Sequence, residues 1–172
     1  EPQGYTSLMQ AVILAAGRGT RMGTLTESTP KPMLLLNGRP VLEYIFDSLP
    51  GEVDEVIIVV GYLGGVIQNH FGGIYKGKKI LYVEQESLNG TAGALWSAKD
   101  LLKDKFLVMN GDDICKSEDV AACSASADWA MLVQNLDEIG SAGKVITDER
   151  GLVVDILEKE RRPDGRKLDE VR

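Results

Sequence analysis

Five successive β-branched residues, Val56-Ile57-Ile58-Val59-Val60, constrain the fold more than any other part of the sequence. Neighbouring side chains of a strand point to opposite faces of its sheet, so an uninterrupted apolar run needs cover on both faces. Such strands are typical of the centre of a parallel sheet. Short apolar runs alternate along the chain with segments whose apolar residues recur at helical spacing, which is the pattern of repeated βαβ units. The sequence therefore predicts an α/β fold, a Rossmann-like and mostly parallel sheet with helices on both faces.

The individual elements follow from this alternation. Strands are predicted at residues 12–14, 55–60, 79–85, 105–109, 128–136, 144–147 and 152–157. Helices are predicted at residues 41–49, 66–71, 91–102 and 117–124, the first with Pro40 in its first turn. Residues 148–151 predict a turn between the last two strands. The charged segment from Glu158 onward is predicted to be a solvated end.

Composition and charge limit the possible functions. The 172 residues are 44% hydrophobic, which predicts one folded domain at residues 9–159 between an N-terminal extension (1–8) and a charged tail (160–172). A net charge of −7 disfavours binding to nucleic acid or to an anionic membrane. Two cysteines are too few for a disulfide scaffold. No apolar run reaches the ~20 residues that cross a bilayer, and residues 1–8 do not resemble a secretory signal, so we expect a cytoplasmic location.

A glycine-rich run follows the first predicted strand. It reads Gly17-Arg18-Gly19-Thr20-Arg21-Met22, and Pro30-Lys31-Pro32-Met33 comes shortly after it. Glycines let the backbone approach phosphate oxygens, while Arg21 and Lys31 add a forked donor and a mobile charge. The run lacks the Lys-Ser/Thr of a P-loop and the third glycine of a dinucleotide fingerprint. It predicts a phosphate cradle, unless the glycines only form a tight turn and Arg21 is a surface charge.

Three polar clusters each follow a predicted strand. They are the Gly17 loop, the segment 85–90 and the pair Asp112-Asp113. Ligands of open parallel sheets bind beyond the carboxyl ends of the strands, so these clusters are expected to share one crevice. A carboxylate there could hold Mg²⁺, or it could cap a helix or shape a turn. The carboxamide of Gln85 has a donor and an acceptor, so it could pair with uracil, thymine or guanine.

The motifs together resemble those of the sugar nucleotidyltransferases, also called nucleoside-diphosphate-sugar pyrophosphorylases. The resemblance rests on Leu14-Ala15-Ala16-Gly17-Arg18-Gly19-Thr20-Arg21-Met22, Thr26, Pro30-Lys31-Pro32-Met33, Gly38-Arg39-Pro40-Val41-Leu42 and Gly90-Thr91-Ala92-Gly93-Ala94-Leu95. It implies the nucleotide-diphospho-sugar transferase type of fold. It also implies a Mg²⁺-dependent reaction of a nucleoside triphosphate with a sugar 1-phosphate to give a nucleoside-diphosphate sugar and pyrophosphate.

The resemblance also implies roles for individual residues. Arg21 and Lys31 would be catalytic, and Asp112 would bind the metal. The nucleotide would be bound by Leu14, Ala15, Ala16, Gly17, Gly19, Thr20, Arg21, Gln85, Gly90 and Thr91. The sugar phosphate would be bound by Gly143, Glu158 and Lys159.

Departures from the family pattern keep alternatives open. Ala142 stands where the family usually has Tyr, Glu160 stands where it has Pro, and the later part with a second metal-binding Asp is missing. The fold is therefore expected to be shortened, and apolar groups exposed by the shortening would favour a homo-oligomer. One alternative is a nucleotide-binding homologue that is inactive or regulatory. Others are a cytidylyl- or guanylyltransferase acting on a non-sugar phosphate, and a structural α/β interaction domain.

Overall fold

The segments with apolar runs and helical spacing form a series of short strands and helices. The computed structural model describes residues 9–87, 89–136 and 143–157, without the side chain of Arg21. In chain order its elements are β1 (Met9–Leu14), β2 (Leu35–Leu36), β3 (Arg39–Pro40), α1 (Val41–Ser48), β4 (Val53–Val60), α2 (Gly64–Phe71), β5 (Ile74–Tyr75), β6 (Lys78–Glu84), α3 (Thr91–Ser97), β7 (Phe106–Asn110), α4 (Ser117–Ala125), β8 (Lys144–Thr147) and β9 (Val153–Leu157). Short 3₁₀ helices cover Thr20–Thr26, Lys31–Met33 and Lys99–Leu101.

The central sheet has the strand order β5-β6-β4-β1-β7. Strands β6, β4, β1 and β7 are parallel, and only the short β5 runs antiparallel to its neighbour. Ile13 of β1 lies between Ile58 of β4 and Met109 of β7. The apolar run of β4 is buried throughout, as its sequence predicted. The mostly parallel sheet is thereby confirmed.

Helices cover both faces of this sheet. Ile13 and Ile58 belong to a core formed with α1, α2 and α4, in which the rings of Phe46 and Phe71 stack with centroids 5.0 Å apart. Val12 and Ile57 belong to a second core, formed with Ala94 and Ala98 in and after α3. The alternation of side chains along each strand therefore separates the two cores.

Two predicted elements are wrong. The helix predicted at 91–102 ends at Ser97 and continues as a 3₁₀ turn. The carbonyl oxygen of Leu101 accepts a hydrogen bond from Nε2 of the buried Gln10 (3.0 Å), and the Lys103 amide donates to Gln10 Oε1 (2.7 Å), so tertiary hydrogen bonds set the end of this segment. The strand predicted at 128–136 does not form: no described strand pairs with it, and Trp129 is fully exposed.

The first helix starts at Val41, where the predicted segment 41–49 begins, but the expected place of Pro40 in its first turn is wrong. Pro40 precedes the helix with extended backbone angles instead of occupying its first turn. Its pairing with Leu35 in the small β2–β3 ladder holds it there.

The chain divides into two units, at Ala130 and Met131. In the second unit β8 and β9 form the predicted antiparallel hairpin. Asp148 Oδ1 accepts hydrogen bonds from the amides of Arg150 and Leu152, both 2.9 Å, which fixes the turn. The extension 1–8 and the tail 160–172 lie outside the described residues, so the proposed domain limits of 9–159 stay a prediction. No helix within the described part of the chain is long and apolar enough to span a bilayer.

A buried carboxylate ties the sheet to the segment after α3. Glu55 accepts hydrogen bonds from Gln10 Nε2 (2.7 Å), Lys79 Nζ (2.8 Å) and Lys103 Nζ (3.1 Å). The bond from Lys79, aided by those from Gln10 and Lys103, outweighs the cost of burial and lowers the pKa of Glu55 from 4.5 to about 2. The ionised carboxylate is therefore the form that stabilises the folded state.

The Glu55→Gln variant should lose stability in a pH-dependent way. A depressed pKa adds stability that is complete above about pH 4.5 and declines as the pH falls towards 2. At pH 7 the variant should unfold with a free energy lower by roughly 2–3 kcal/mol, and the difference should shrink by pH 3. Urea titrations followed by circular dichroism would measure it. Glu52→Gln, at an exposed position of the preceding turn, is the control, and a difference that is constant with pH would contradict the role of the charge.

Candidate active site

The ends of four parallel strands are connected by backbone hydrogen bonds at one edge of the sheet. The amide of Ala15 donates to the Val59 carbonyl (2.8 Å), and that of Gly111 donates to the Leu14 carbonyl (2.9 Å). The amide of Gln85 donates to the Val60 carbonyl in the same way, at 2.8 Å. The loops that follow β1, β6 and β7 therefore leave the sheet together, as the strand pattern predicted.

Gly111 lies close to the backbone at the end of β1. A Cβ atom at this position would lie 2.9 Å from the Leu14 carbonyl oxygen and 3.2 Å from Cα and Cβ of Ala15. All three atoms belong to the strand end and the start of the glycine-rich loop, so they cannot rotate away. The sequence analysis did not single out Gly111, although its place between the strand and Asp112 is a signal for close backbone contact.

The Gly111→Ala variant should be destabilised. The added methyl group must push two backbone segments apart, and overpacking of this kind costs about 1–3 kcal/mol. The free energy of unfolding from urea titration measures the effect. Gly65→Ala is a matched control, because a Cβ there meets nothing within 4 Å and lies in the helix α2. Equal stability of the two variants would show that the strand ends can separate without cost.

A cavity of about 340 Å³ lies at the converging strand ends. Its lining residues are Leu14, Ala15, Gly17, Gly19, Met22, Lys31, Pro32, Thr91, Gly111 and Asp112. In it, Lys31 Nζ forms an ion pair with Asp112 Oδ2. Both side chains are partly exposed, at 40% and 36%, so solvent and ligands can reach them. The structure thus brings together the predicted phosphate-binding lysine and the predicted metal-binding carboxylate.

The glycine-rich loop is held in a fixed shape. Gly19 has a φ of +63°, and the Thr26 hydroxyl donates to its carbonyl oxygen at 3.2 Å. The Tyr62 hydroxyl donates to the Glu27 carbonyl oxygen at 2.8 Å, which connects the loop to the segment after β4. The predicted side-chain role of Arg21 falls on a side chain outside the described part. Thr20 is exposed on the loop and does not line this cavity.

A second cavity of about 340 Å³ adjoins the first and shares Leu14, Gly17 and Thr91 with it. Its other lining residues are Ala16, Arg18, Gln85, Gly90, Ala94 and Asn110. Of the ten residues predicted to bind the nucleotide, the two cavities bring eight together. The first cavity carries charged side chains for phosphates, and the second carries a carboxamide suited to a base.

Two polar residues of the second cavity were missed by the sequence analysis. The Arg18 guanidinium lies 5.4 Å from the centre of the Tyr62 ring. Asn110 Nδ2 donates to Asp113 Oδ2 at 2.7 Å. Arg18 could have been found, because it stands between the two glycines of the loop. The Asn110 bond engages Asp113, whereas Asp112 lines the first cavity.

The predicted sugar-phosphate residues all belong to the second unit of the chain. Gly143 is exposed immediately before β8, in the second unit of the chain. Glu158 and Lys159 lie outside the described residues. Their roles stay predictions.

The side chains of the first cavity suit Mg²⁺ better than a metal ion that takes all of its ligands from the protein. Within residues 9–87, 89–136 and 143–157, no three His, Cys, Asp or Glu side chains cluster as metal ligands. Mg²⁺ usually keeps several waters and takes one or two carboxylates together with substrate phosphates. A single accessible carboxylate, Asp112, beside a cavity with a lysine fits this requirement.

Comparison with known proteins decides the family. The nucleotidyl transferase family matches residues 10–169. The chain belongs to this family. UTP--glucose-1-phosphate uridylyltransferase AglF of Haloferax volcanii is 36% identical over 162 residues, which cover 90% of this chain and 67% of AglF. The bifunctional protein GlmU of Methanococcus aeolicus is 34% identical over 155 residues, 90% of this chain but 37% of GlmU.

A solved structure also has a similar fold. The crystal structure of a putative glucose-1-phosphate thymidylyltransferase from Bacillus anthracis matches with a TM-score of 0.75 and 25% identity, over 90% of this chain and 66% of that chain. The chain therefore spans about two thirds of two relatives and little more than a third of the third. The family and the fold type implied by the sequence motifs are confirmed.

Proposed function

We propose that this protein transfers a nucleotidyl group from a nucleoside triphosphate to a sugar 1-phosphate and releases pyrophosphate. The observation that carries the proposal is the pair of adjoining cavities, one with Lys31 and Asp112 and the other with Gln85. The names of AglF and of the B. anthracis protein describe nucleotidyl transfer to glucose 1-phosphate. The membership of the family makes this type of reaction the best-supported one for the present chain.

The chemistry requires positioning and charge neutralisation. An oxygen of the sugar phosphate attacks the α-phosphorus in line, the bond to the β-phosphate oxygen breaks, and pyrophosphate leaves with the electron pair. A phosphate monoester has a second pKa of ~6 and is largely dianionic at pH 7, so the attack needs no general base. This agrees with the first cavity, whose lining contains a lysine and an aspartate but no histidine.

In the proposed reaction, Lys31 would contact two phosphate groups. Its ammonium is held in the first cavity by Asp112 and is 40% exposed. It would bring the attacking phosphate and the α-phosphate together and offset their repulsion. Arg21 would offset charge on the triphosphate and on the departing pyrophosphate. Gly143, Glu158 and Lys159 remain the proposed contacts to the sugar phosphate.

The proposal includes magnesium. Asp112 would hold Mg²⁺ through its carboxylate, with substrate phosphates and water completing the coordination. When bound, Mg²⁺ neutralises charge on the nucleotide phosphates. Because Asp112 pairs with Lys31 in the structure, the lysine holds the carboxylate in the cavity and can turn to a phosphate when substrates bind.

A pyrophosphate-release screen tests the proposal. Five nucleoside triphosphates are each incubated with glucose 1-phosphate, mannose 1-phosphate or N-acetylglucosamine 1-phosphate and Mg²⁺, and pyrophosphate is measured after pyrophosphatase treatment. Release that needs both substrates supports the transferase. Calorimetric binding of a triphosphate without release in any pair would indicate a nucleotide-binding homologue without this activity. If none of the sugar 1-phosphates supports release but a non-sugar phosphate added in their place does, the acceptor is of a different class.

A further inference from the structure

The side chain of Gln85 already uses both of its hydrogen-bond donors within the protein. Its Nε2 donates to Asn89 Oδ1 at 3.0 Å and to the Gly90 carbonyl oxygen at 3.3 Å. The orientation of the carboxamide follows from chemistry, because the carbonyl of Gly90 can only accept and must therefore face the NH₂ group. Gln85 is 7% exposed, so its amide is held in this arrangement within the lining of the second cavity.

The exposed Asn89 side chain reaches Gln85 beside the start of α3. Gly90 has φ +93° and ψ −175°, a conformation that favours glycine, and it aims its carbonyl at Gln85. A Cβ atom on Gly93 would lie 1.6 Å from Asn89 Oδ1 and 2.3 Å from its Cγ. Asn89 therefore occupies space that only a glycine at position 93 leaves open. Gly93 thus leaves room for Asn89, and Asn89 accepts a hydrogen bond from Gln85.

The bases differ in what they offer to such a carboxamide. Uracil and thymine present one N–H group between two carbonyl oxygens, so they gain from a partner that both accepts and donates. Guanine presents two neighbouring donors, N1–H and the N2 amino group, and both can be accepted by one oxygen with two lone pairs. A carboxamide whose NH₂ group is already engaged therefore suits guanine better than uracil or thymine.

We propose that Asn89, seated against Gly93, restricts Gln85 to the role of acceptor and thereby makes the second cavity selective for a guanine nucleotide. Asn89 is a positioning residue here, since it acts on the base through Gln85. This inference rests on the nucleotide-binding part of the proposed function. It specifies guanine as the base, whereas the sequence motifs left uracil, thymine and guanine open.

Competitive binding of GTP, UTP and dTTP tests the inference. The dissociation constants are measured with Mg²⁺ for the wild type, Asn89→Leu and Gly93→Ala. The wild type should bind GTP at least about tenfold more tightly than UTP or dTTP, the change expected for one buried hydrogen bond. Asn89→Leu frees one of the two N–H donors of Gln85 and should reduce that preference about tenfold. Gly93→Ala displaces Asn89 and should have the same effect, and alanine strengthens the helix rather than weakening it.

The controls separate this inference from the proposed function. Asn69→Leu, on an exposed position of α2 outside both cavities, should leave the preference unchanged. Tighter binding of UTP than GTP by the wild type, an unchanged ratio in Asn89→Leu, or no binding of any triphosphate would overturn the inference. If GTP binds selectively but no sugar phosphate supports pyrophosphate release, the proposed transferase fails while the base preference stands. If release occurs with UTP and does not respond to Asn89→Leu, the transferase stands and the base preference fails.

Discussion

The Lys31→Ala variant should release pyrophosphate roughly 10²–10³-fold more slowly than the wild type, the loss seen when one preorganised charge contact to a transition state is removed. The reason is the location of the ammonium group. It lies in the cavity beneath the glycine-rich loop and is the only lysine among that cavity's lining residues. The rate constant is measured under saturating triphosphate and sugar 1-phosphate, with the pair identified by the screen.

The fold of Lys31→Ala should remain intact. The ion pair with Asp112 is partly exposed, and pairs of this kind contribute about 0–1 kcal/mol. The midpoint of thermal unfolding should therefore change little. Lys99→Ala is the matched control, because Lys99 lies over the Trp96 ring at 4.8 Å and lines neither cavity. If both variants keep the wild-type rate, Lys31 has no part in the reaction.

The sheet and the meeting of the site residues could be predicted from sequence. The continuous apolar run of β4 could be satisfied only in the middle of a covered sheet. Parallel strands bring their carboxyl ends to one edge, so loops far apart in sequence had to meet there. Lys31 and Asp112 are 81 residues apart and form an ion pair. Their meeting follows from topology and required no knowledge of side-chain packing.

The two wrong predictions of secondary structure concern segments whose structure depends on contacts with residues distant in sequence. Residues 128–136 have strand-like composition, but a strand also requires a neighbour for its backbone groups. Trp129 and Val133 are exposed, so no buried face stabilises that segment either. The end of the segment after α3 depends on Gln10, which lies 91 residues from its partner Leu101 in sequence. Helical periodicity contains no information about such a contact.

The contact between Asn89 and Gln85 could not be predicted from the sequence either. The motif identified Gln85 and Gly90 but treated the residues between them as loop. Asn89 and Gly93 are adjacent only because the loop turns into α3 with Gly90 in a glycine-specific conformation. Local backbone geometry engages the NH₂ group of Gln85 and leaves its carbonyl oxygen for a ligand.

The Asp112→Asn variant should need much more Mg²⁺ than the wild type. An amide oxygen is neutral and binds a hard cation less strongly than a carboxylate, so the half-saturating Mg²⁺ concentration should rise by about tenfold or more, within the range for perturbed metal sites. The rate of pyrophosphate release is measured against Mg²⁺ concentration at fixed substrates. Lys31→Ala should reduce the maximal rate without this shift, because in the proposed reaction the lysine contacts phosphate and not metal.

Asp113→Asn is the control for the Asp112 variant, because it has the same chemistry at the next residue. Asp113 accepts a hydrogen bond from Asn110 and does not line the first cavity, so its Mg²⁺ curve should match that of the wild type. A second outcome would reassign Asp112. If Asp112→Asn lowers the maximal rate but leaves the Mg²⁺ requirement unchanged, its carboxylate serves to position Lys31 through their ion pair. In that case the double variant Lys31→Ala/Asp112→Asn should be no slower than Lys31→Ala alone, since both substitutions remove one shared interaction.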